Sequence, residues 1–313
     1  MNIPVKTIST DIDTFDHGYD IIITVGKGIS KEMYQICKIK GIRVIGFVCG
    51  NILAMNTISF LSKDDKAASQ IIGKSTPVDY FWLIEGHSYM KGYLELLRGA
   101  PVHCVPHLWS PRLLIQHTKT KIGKEEGLLF FPKYTSWEKI NVLIMEPNNE
   151  FLKTSLIPIT ICEWLEQRGD RIKEVFVFNY PVESAAASAI LENFKVTKKL
   201  RRFKGLHTGE ILTHFNSQPE PYVVISHQIN NPWNYLYYEM LHFGVPLIHN
   251  SDSFKGYGYH YTGSDVEGGG LSVLNAIDHH DKLREISQKK NSAFLKTIDP
   301  IVEETVKLWD GLL

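Results

Sequence analysis

The stretch SHQINNPWNYLYYE, residues 226–239, is unusually rich in side chains that hydrogen-bond. An apolar run ends at Ser226, and Asn231 followed by Pro232 reads as the N-cap and first position of a helix. The unpaired N–H groups of such a helix start suit a phosphate. His227, Gln228 and Asn230 crowd the approach to it, with Asn234 one turn on. Asn231, Tyr235 and Glu239 are spaced by four and would share one helix face. On that reading Glu239 accepts a bond from a ribose hydroxyl while the helix start meets a diphosphate. The plainer alternative is an ordinary capped helix with Tyr235 and Glu239 in solvent.

A second stretch, IMEPNNEFLKTS (144–155), also joins an apolar run to a helical pattern. It offers the amide of Asn148, the cation of Lys153 for a phosphate, and the hydroxyls of Thr154 and Ser155 to cap a helix or bind oxygen. A solvated loop with a routine cap explains this segment equally well. In open α/β sheets ligands sit beyond the carboxyl ends of the strands. Two such loops at one sheet edge therefore predict a nucleotide site built from Asn148, Lys153, Thr154, His227, Gln228, Asn231, Asn234, Tyr235 and Glu239.

Other signals carry less. Asp11-Ile12-Asp13, with Asp16 behind it, reads as an exposed turn rather than a metal clamp. Pro106 between His103 and His107 excludes a helical histidine pair, and His279-His280 reads as surface. Gly268-Gly269-Gly270 lacks the Lys-Ser or Lys-Thr of a phosphate-binding loop. With no zinc spacing and no Gly-x-Ser-x-Gly turn, no metal site is expected. The basic run Lys198–Lys204 reads as a solvated edge strand, with an anionic partner as the sharper alternative.

The elements that must position these residues follow from the apolar pattern. Near-continuous runs at 21–25, 43–49, 80–84, 102–105, 141–147, 174–179, 222–226 and 246–250 suit strands buried on both faces of parallel sheets. Helical patterns lie between them, at 30–40 (stopped by Gly41), 156–168 (stopped by Gly169), 182–194 and 232–243, and a helical tail runs from about Asp278. The charged TKTKIGKEEG and the following FFPKYTSW, within 118–137, read as a surface linker. The expected fold class is α/β with two Rossmann-type domains. Residues 1–135 form the first, 136–295 the second, and 296–313 a helix packing back on the first.

With 34 Lys and Arg against 34 Asp and Glu, the balanced charge argues mildly against a protein that coats nucleic acid. Four scattered cysteines suit a reducing cytoplasm, which would be a host's if the chain is viral. The N-terminus lacks the pattern of a signal peptide, and no apolar run is long enough for membrane insertion.

Four collinear stretches, VPHLWSP (105–111), EPN through KT (146–154), SHQ through NY (226–235) and GVPLIHNS (244–251), resemble a bacterial and phage family. That family is catalogued as a domain of unknown function and looks like the GT-B glycosyltransferases. The resemblance spans about Ile21 to Thr297 and includes GYHY (258–261) and the stretch from Asp265 to Gly269. It implies two facing Rossmann-like domains, a nucleotide-sugar donor (a UDP-sugar first of all) held mainly by the second, and no obligatory cofactor. Retaining GT-B enzymes carry Glu-x7-Glu on the helix before a Gly-x-Pro strand. Glu239 fits the second Glu, while Asn231 replaces the first and leaves the stereochemical outcome open. Lys153 falls where such enzymes carry a donor-phosphate lysine. An inverting enzyme would also need a base near the acceptor, for which Glu85, just past a strand, and His107 are the candidates. A helix-cap or ion-pair carboxylate accounts for Glu85 equally well. Relatives carry a longer region before the equivalent of Ile21, so a reduced or open acceptor domain is expected.

The leading expectation is thus a hexosyl- or pentosyltransferase acting on a hydroxyl acceptor, either a glycan or hydroxymethylated DNA. Frequent Lys and Ile suggest an AT-rich genome such as those of phages and giant viruses. Arg112, 119–124 and 201–204 could form a local basic cleft for DNA. A non-catalytic binding module and a sugar-nucleotide epimerase are the alternatives from other classes, and the oligomeric state stays open.

Overall fold

The computed structural model describes residues 18–26, 28–61, 77–148, 151–180 and 185–312. The Asp11–Asp16 turn, the reading of the N-terminus, Asn149 and the first turn expected at 182–184 lie outside the described residues. The chain falls into two compact units that divide between His107 and Leu108.

The first unit is a four-stranded parallel sheet in the order β1-β2-β3-β4: β1 (Ile21–Val25), β2 (Arg43–Val48), β3 (Tyr80–Ile84) and β4 (Val102–Val105). Helix α1 (Lys31–Ile39) starts at Ser30, whose hydroxyl accepts from Met33 N, and stops before Gly41 in the left-handed region, φ 71°. Asp79 fastens α1 to the sheet. Its carboxylate accepts from Val44 N (2.8 Å), Tyr34 OH (2.8 Å) and Lys38 Nζ (2.9 Å). Helix α2 (Ile52–Leu61) follows β2, and a 3-10 turn at Glu85–Met90 leads from β3 into α3 (Lys91–Arg98).

The second unit begins with α4 (Arg112–His117) and is built on a six-stranded parallel sheet. The strands are β5 (Ile140–Ile144), β6 (Ile172–Phe178), β7 (Leu200–Phe203), β8 (Tyr222–Ser226), β9 (Leu247–His249) and β10 (Tyr259–His260), in the order β10-β9-β8-β5-β6-β7. The chain lays β5, β6 and β7 outward in one direction, then returns to place β8, β9 and β10 on the other side of β5. The reversal between β5 and β8 is a topological switch point. Helices α5 (Leu156–Arg168), α6 (Ala185–Leu191), α7 (Thr208–Asn216), α8 (Tyr235–Phe243), α9 (Val266–Lys296) and α10 (Glu303–Asp310) complete it. Along β5, Ile140, Val142 and Ile144 join a core with α5 and α9, while Leu143 faces a second core with α7 and α8. Both faces are covered, which is why these strands read as unbroken apolar runs.

Three boundaries differ from the sequence reading. Residues 118–137 are not a surface linker: Thr118, Leu129 and Phe131 are buried, Trp109 stacks on Tyr238, and Phe131 N donates to Phe243 O at 2.9 Å. That apolar packing carries the division of the chain back to residue 107. The long helix begins at Val266, not near Asp278, with Asp265 Oδ1 accepting from Gly268 N (3.0 Å). Its glycine triplet is helical because α5 lies against it. A Cβ on Gly269 would overlap Ile161, and one on Gly270 the Trp164 ring. The tail beyond it packs in the second unit, with Ile298 beside Leu295 of α9 in the core that holds Trp109, and Ile298 O accepting from Trp109 N (3.0 Å). Among the described residues no helix is long and apolar enough to cross a membrane.

Candidate functional site

The loops that leave the second sheet at β5, β6 and β8 share a backbone peculiarity. The non-glycine residues with positive φ among the described residues are Asn148 (54°), Asn179 (54°) and Asn230 (48°), one in each of these loops. Asparagine tolerates the left-handed region better than other residues with a side chain, and such conformations cluster where a loop must aim groups at a ligand. Asn148 is held on all sides. Its Nδ2 donates to Glu146 O (3.1 Å) and Phe178 O (3.4 Å), and its Oδ1 accepts from Ser155 N (2.7 Å) and Ser155 Oγ (2.8 Å). Asn148 therefore shapes the loop and ties it to the start of α5. Ser155 spends its hydroxyl on Asn148 rather than on capping the helix, and Thr154 beside it is half-buried.

Between these loops lies a cleft of about 240 Å³. Met145, Glu146, Pro147 and Lys153 line it from the β5 side, Phe178 and Asn179 from β6, and Asn234, Tyr235, Leu236 and Glu239 from α8. Leu206, Thr208 and Ile211, at and before the start of α7, complete its lining. Lys153, Asn234, Tyr235 and Glu239, all predicted from the sequence, are thus brought to one cavity at the switch point.

The predicted start of α8 lies three residues too early. Asn234, not Asn231, is the N-cap, its Oδ1 accepting from Leu236 N at 3.2 Å. Asn231 is outside the helix and does not share a helical face with Tyr235 and Glu239. Its Nδ2 donates to Gln228 Oε1 (2.5 Å) and Trp233 O (3.4 Å), and it is buried. Gln228 is buried too, its backbone paired with the Asn250 side chain (2.9 Å in both directions) and bridged to Lys153. His227 is 2% exposed and pairs through Nδ1 with Tyr261 OH (2.9 Å), while burial lowers its pKa to about 4, so it is neutral near pH 7. These three, with Asn148, lie behind the cleft and stiffen its loops; none is among the residues that line it.

Glu146 is the functional candidate that sequence reasoning missed. It is 1% exposed, and its Oε1 accepts from Ser226 Oγ and from His227 N (3.2 Å). Burial pushes its pKa up to about 7, opposed by Ser226, Lys153 and His227 N. Burial likewise raises Glu239 to about 7, opposed by a hydrogen bond from Thr208. Two carboxyls poised near neutrality thus share a cleft with one lysine. A glutamate closing an apolar strand was the available signal.

The remaining predicted residues lie in the first unit. Glu85 opens the 3-10 turn after β3 and is exposed. His107 is 7% exposed, and burial, with His87 adding to it, lowers its pKa to about 4. Among the described residues no group of three or more His, Cys, Asp or Glu could hold a metal ion. The basic run holds the sheet edge at β7, with Lys199 paired to Glu166 (2.8 Å) and Asp170 (2.5 Å) and Arg201 to Glu174 (2.8 Å).

A family model described as "Protein of unknown function (DUF2827)" matches residues 4–313. The chain belongs to the DUF2827 family. No curated protein matches it in sequence. Solved structures resemble this DUF2827 protein in fold. The α,α-trehalose-phosphate synthase (UDP-forming) of Burkholderia xenovorans aligns with TM-score 0.60 at 10% identity, over 94% of this chain and 72% of that one. Sucrose-phosphate synthase of Thermosynechococcus elongatus gives 0.55 at 9%, over 96% and 75%. A point mutant of S. aureus TarM, solved with fondaparinux, α-GlcNAc-glycerol and UDP, gives 0.56 at 11%, over 87% of this chain and only 51% of that one. These neighbours are GT-B glycosyltransferases, and the DUF2827 chain shares their α/β fold of two parallel sheets with a C-terminal helix.

Proposed function

We propose that the protein is a glycosyltransferase that moves a sugar from a nucleotide-sugar donor, bound by the second unit, to a hydroxyl acceptor. The observation that carries this reading is the convergence of Lys153, Asn234, Tyr235 and Glu239 on one cleft at the β5/β8 switch point. A structural neighbour that is UDP-forming and another solved with UDP make a UDP-sugar the first donor to try. Lys153 opposes the negative charge that develops on the departing diphosphate, and the capped start of α8 adds its dipole. Glu239 takes a ribose hydroxyl. Asn148, Thr154, His227, Gln228 and Asn231 keep the loops in place around them.

The acceptor hydroxyl must lose its proton as the new bond forms, and a base within hydrogen-bond reach speeds that step. Glu85, exposed at the end of β3, is the proposed base, with His107 as the alternative from the same unit. The test is nucleoside diphosphate release across a panel of nucleotide sugars, with glycan acceptors and with hydroxymethylcytosine DNA. Release with one donor is expected. Donor binding with no release under any acceptor would instead establish a binding module, and conversion of the donor to its epimer an epimerase. Release that depends on the DNA would make the acceptor a modified base.

A further inference from the structure

The two oxygens of the Glu146 carboxyl are treated unequally. Oε1 is the acceptor for Ser226 Oγ and His227 N, whereas Oε2 is buried and has no hydrogen-bond partner among the described residues, in a residue that lines the cleft. An oxygen buried in that way is unfavourable whether it carries charge or a proton. Because Oε1 receives both donors, it takes the part of the carbonyl oxygen, which leaves Oε2 to carry the proton of the neutral acid.

The groups around this carboxyl decide which form prevails. Lys153, ahead of α5, favours the carboxylate. Tyr237 on α8 and Tyr261 after β10 both feel the Glu146 charge, and their own ionisation is pushed far above neutrality. His227 after β8 stays neutral, and Glu239 on α8 is a second carboxyl in the cleft. Burial outweighs Lys153 and places the Glu146 transition at about 7. A diphosphate drawn to Lys153 would repel a carboxylate at Glu146 and would accept a bond from the acid.

We propose that Glu146 is a ligand-contacting residue of the cleft, engaging the donor as a neutral carboxylic acid whose Oε2–H donates to a diphosphate oxygen. The inference rests on reading the cleft as a nucleotide-sugar site. Above neutrality, donor binding then takes up one proton, which comes from solvent and stays on Oε2.

The experiment is calorimetric titration of the full chain with UDP-glucose, or with whichever nucleotide sugar of the panel binds, from pH 6 to 8.5. The diphosphate diester of such a donor does not itself titrate there. Wild-type affinity should be flat below pH 7 and fall by up to tenfold per unit above it. Glu146→Gln, whose amide donates from the same place without ionising, should keep the pH 6 affinity throughout. Glu146→Ala should lose about tenfold at pH 6, with its melting curve confirming a folded chain. A flat wild-type profile, or loss of binding in Glu146→Gln at pH 6, would overturn the proposal while leaving the donor site standing. So would a pH dependence that survives in Glu146→Gln and disappears in Glu239→Gln. A wild-type chain that binds no nucleotide sugar would sink the donor reading itself, and this inference with it.

Discussion

The two units are both parallel α/β sheets, yet they handle polar groups differently. In the first the strands follow one another in sequence order, and among the described residues no reversal opens a crevice between neighbouring strands. Its buried polar residues, Asn51, Asn56, His87 and His107 among those described, are few. In the second, the order reverses between β5 and β8, and buried Glu146, Ser226, His227, Gln228, Asn231, His249 and Ser251 gather around the strand ends beside that reversal. Strand order, more than fold class, separates the two units, and the buried polar groups of the second gather where that order reverses.

Breaking the second unit where it reaches past residue 107 should have the largest effect. Phe131→Ala removes a buried ring that packs on Tyr222, Tyr134 and His280, and is expected to lower unfolding free energy by about 3–5 kcal/mol in urea titrations. A residue in a solvated linker would change it by less than about 0.5 kcal/mol.

The buried carboxyl comes next. The Glu146 transition is raised from 4.5 to about 7 in the folded chain, so its contribution to stability is full below pH 4.5 and lost as pH rises through 7. At about 1.4 kcal/mol per unit, Glu146→Gln should be more stable than wild type at pH 8 by up to roughly 3 kcal/mol and little different at pH 4.5. His227, His249 and His280 are lowered from 6.5 to about 4. Their stabilisation is present above pH 6.5 and lost as pH falls through 4, a limb that Glu146→Gln should leave in place.

Further substitutions sharpen the contrast. Gly270→Leu, which drives a side chain into Trp164, should cost about 1–3 kcal/mol. Gly92→Ala on α3 of the first unit meets open space and should gain at most about 1 kcal/mol. Lys153→Ala should weaken donor binding by about tenfold or more, the scale of a charge-assisted bond. Glu85→Gln should leave donor affinity alone and reduce turnover by a factor of about 10²–10⁴.

Strands were legible from the sequence because burial on both faces leaves no alternation to obscure them, as at Val142–Ile144 and Val223–Ile225. The cleft was legible in part, since Lys153 and Glu239 follow strand ends. The start of α8 was not: NNPWN offers capping residues at both Asn231 and Asn234, and Asn231 pairs with Gln228 three residues back while Asn234 caps the helix. The helical state of the glycine triplet in α9 has no local signature, because it depends on Ile161 and Trp164 of α5 lying against it. Glu146 carries no local signal of its burial, which depends on Ser226 and His227, about eighty residues away in the chain.

Hydrogen–deuterium exchange with and without a bound nucleotide sugar locates the donor. Protection is expected to concentrate in residues 145–155 and 226–239 of the second unit. Protection concentrated instead around 84–90 and 103–107 of the first unit, with the β5 and β8 loops unchanged, would contradict that placement.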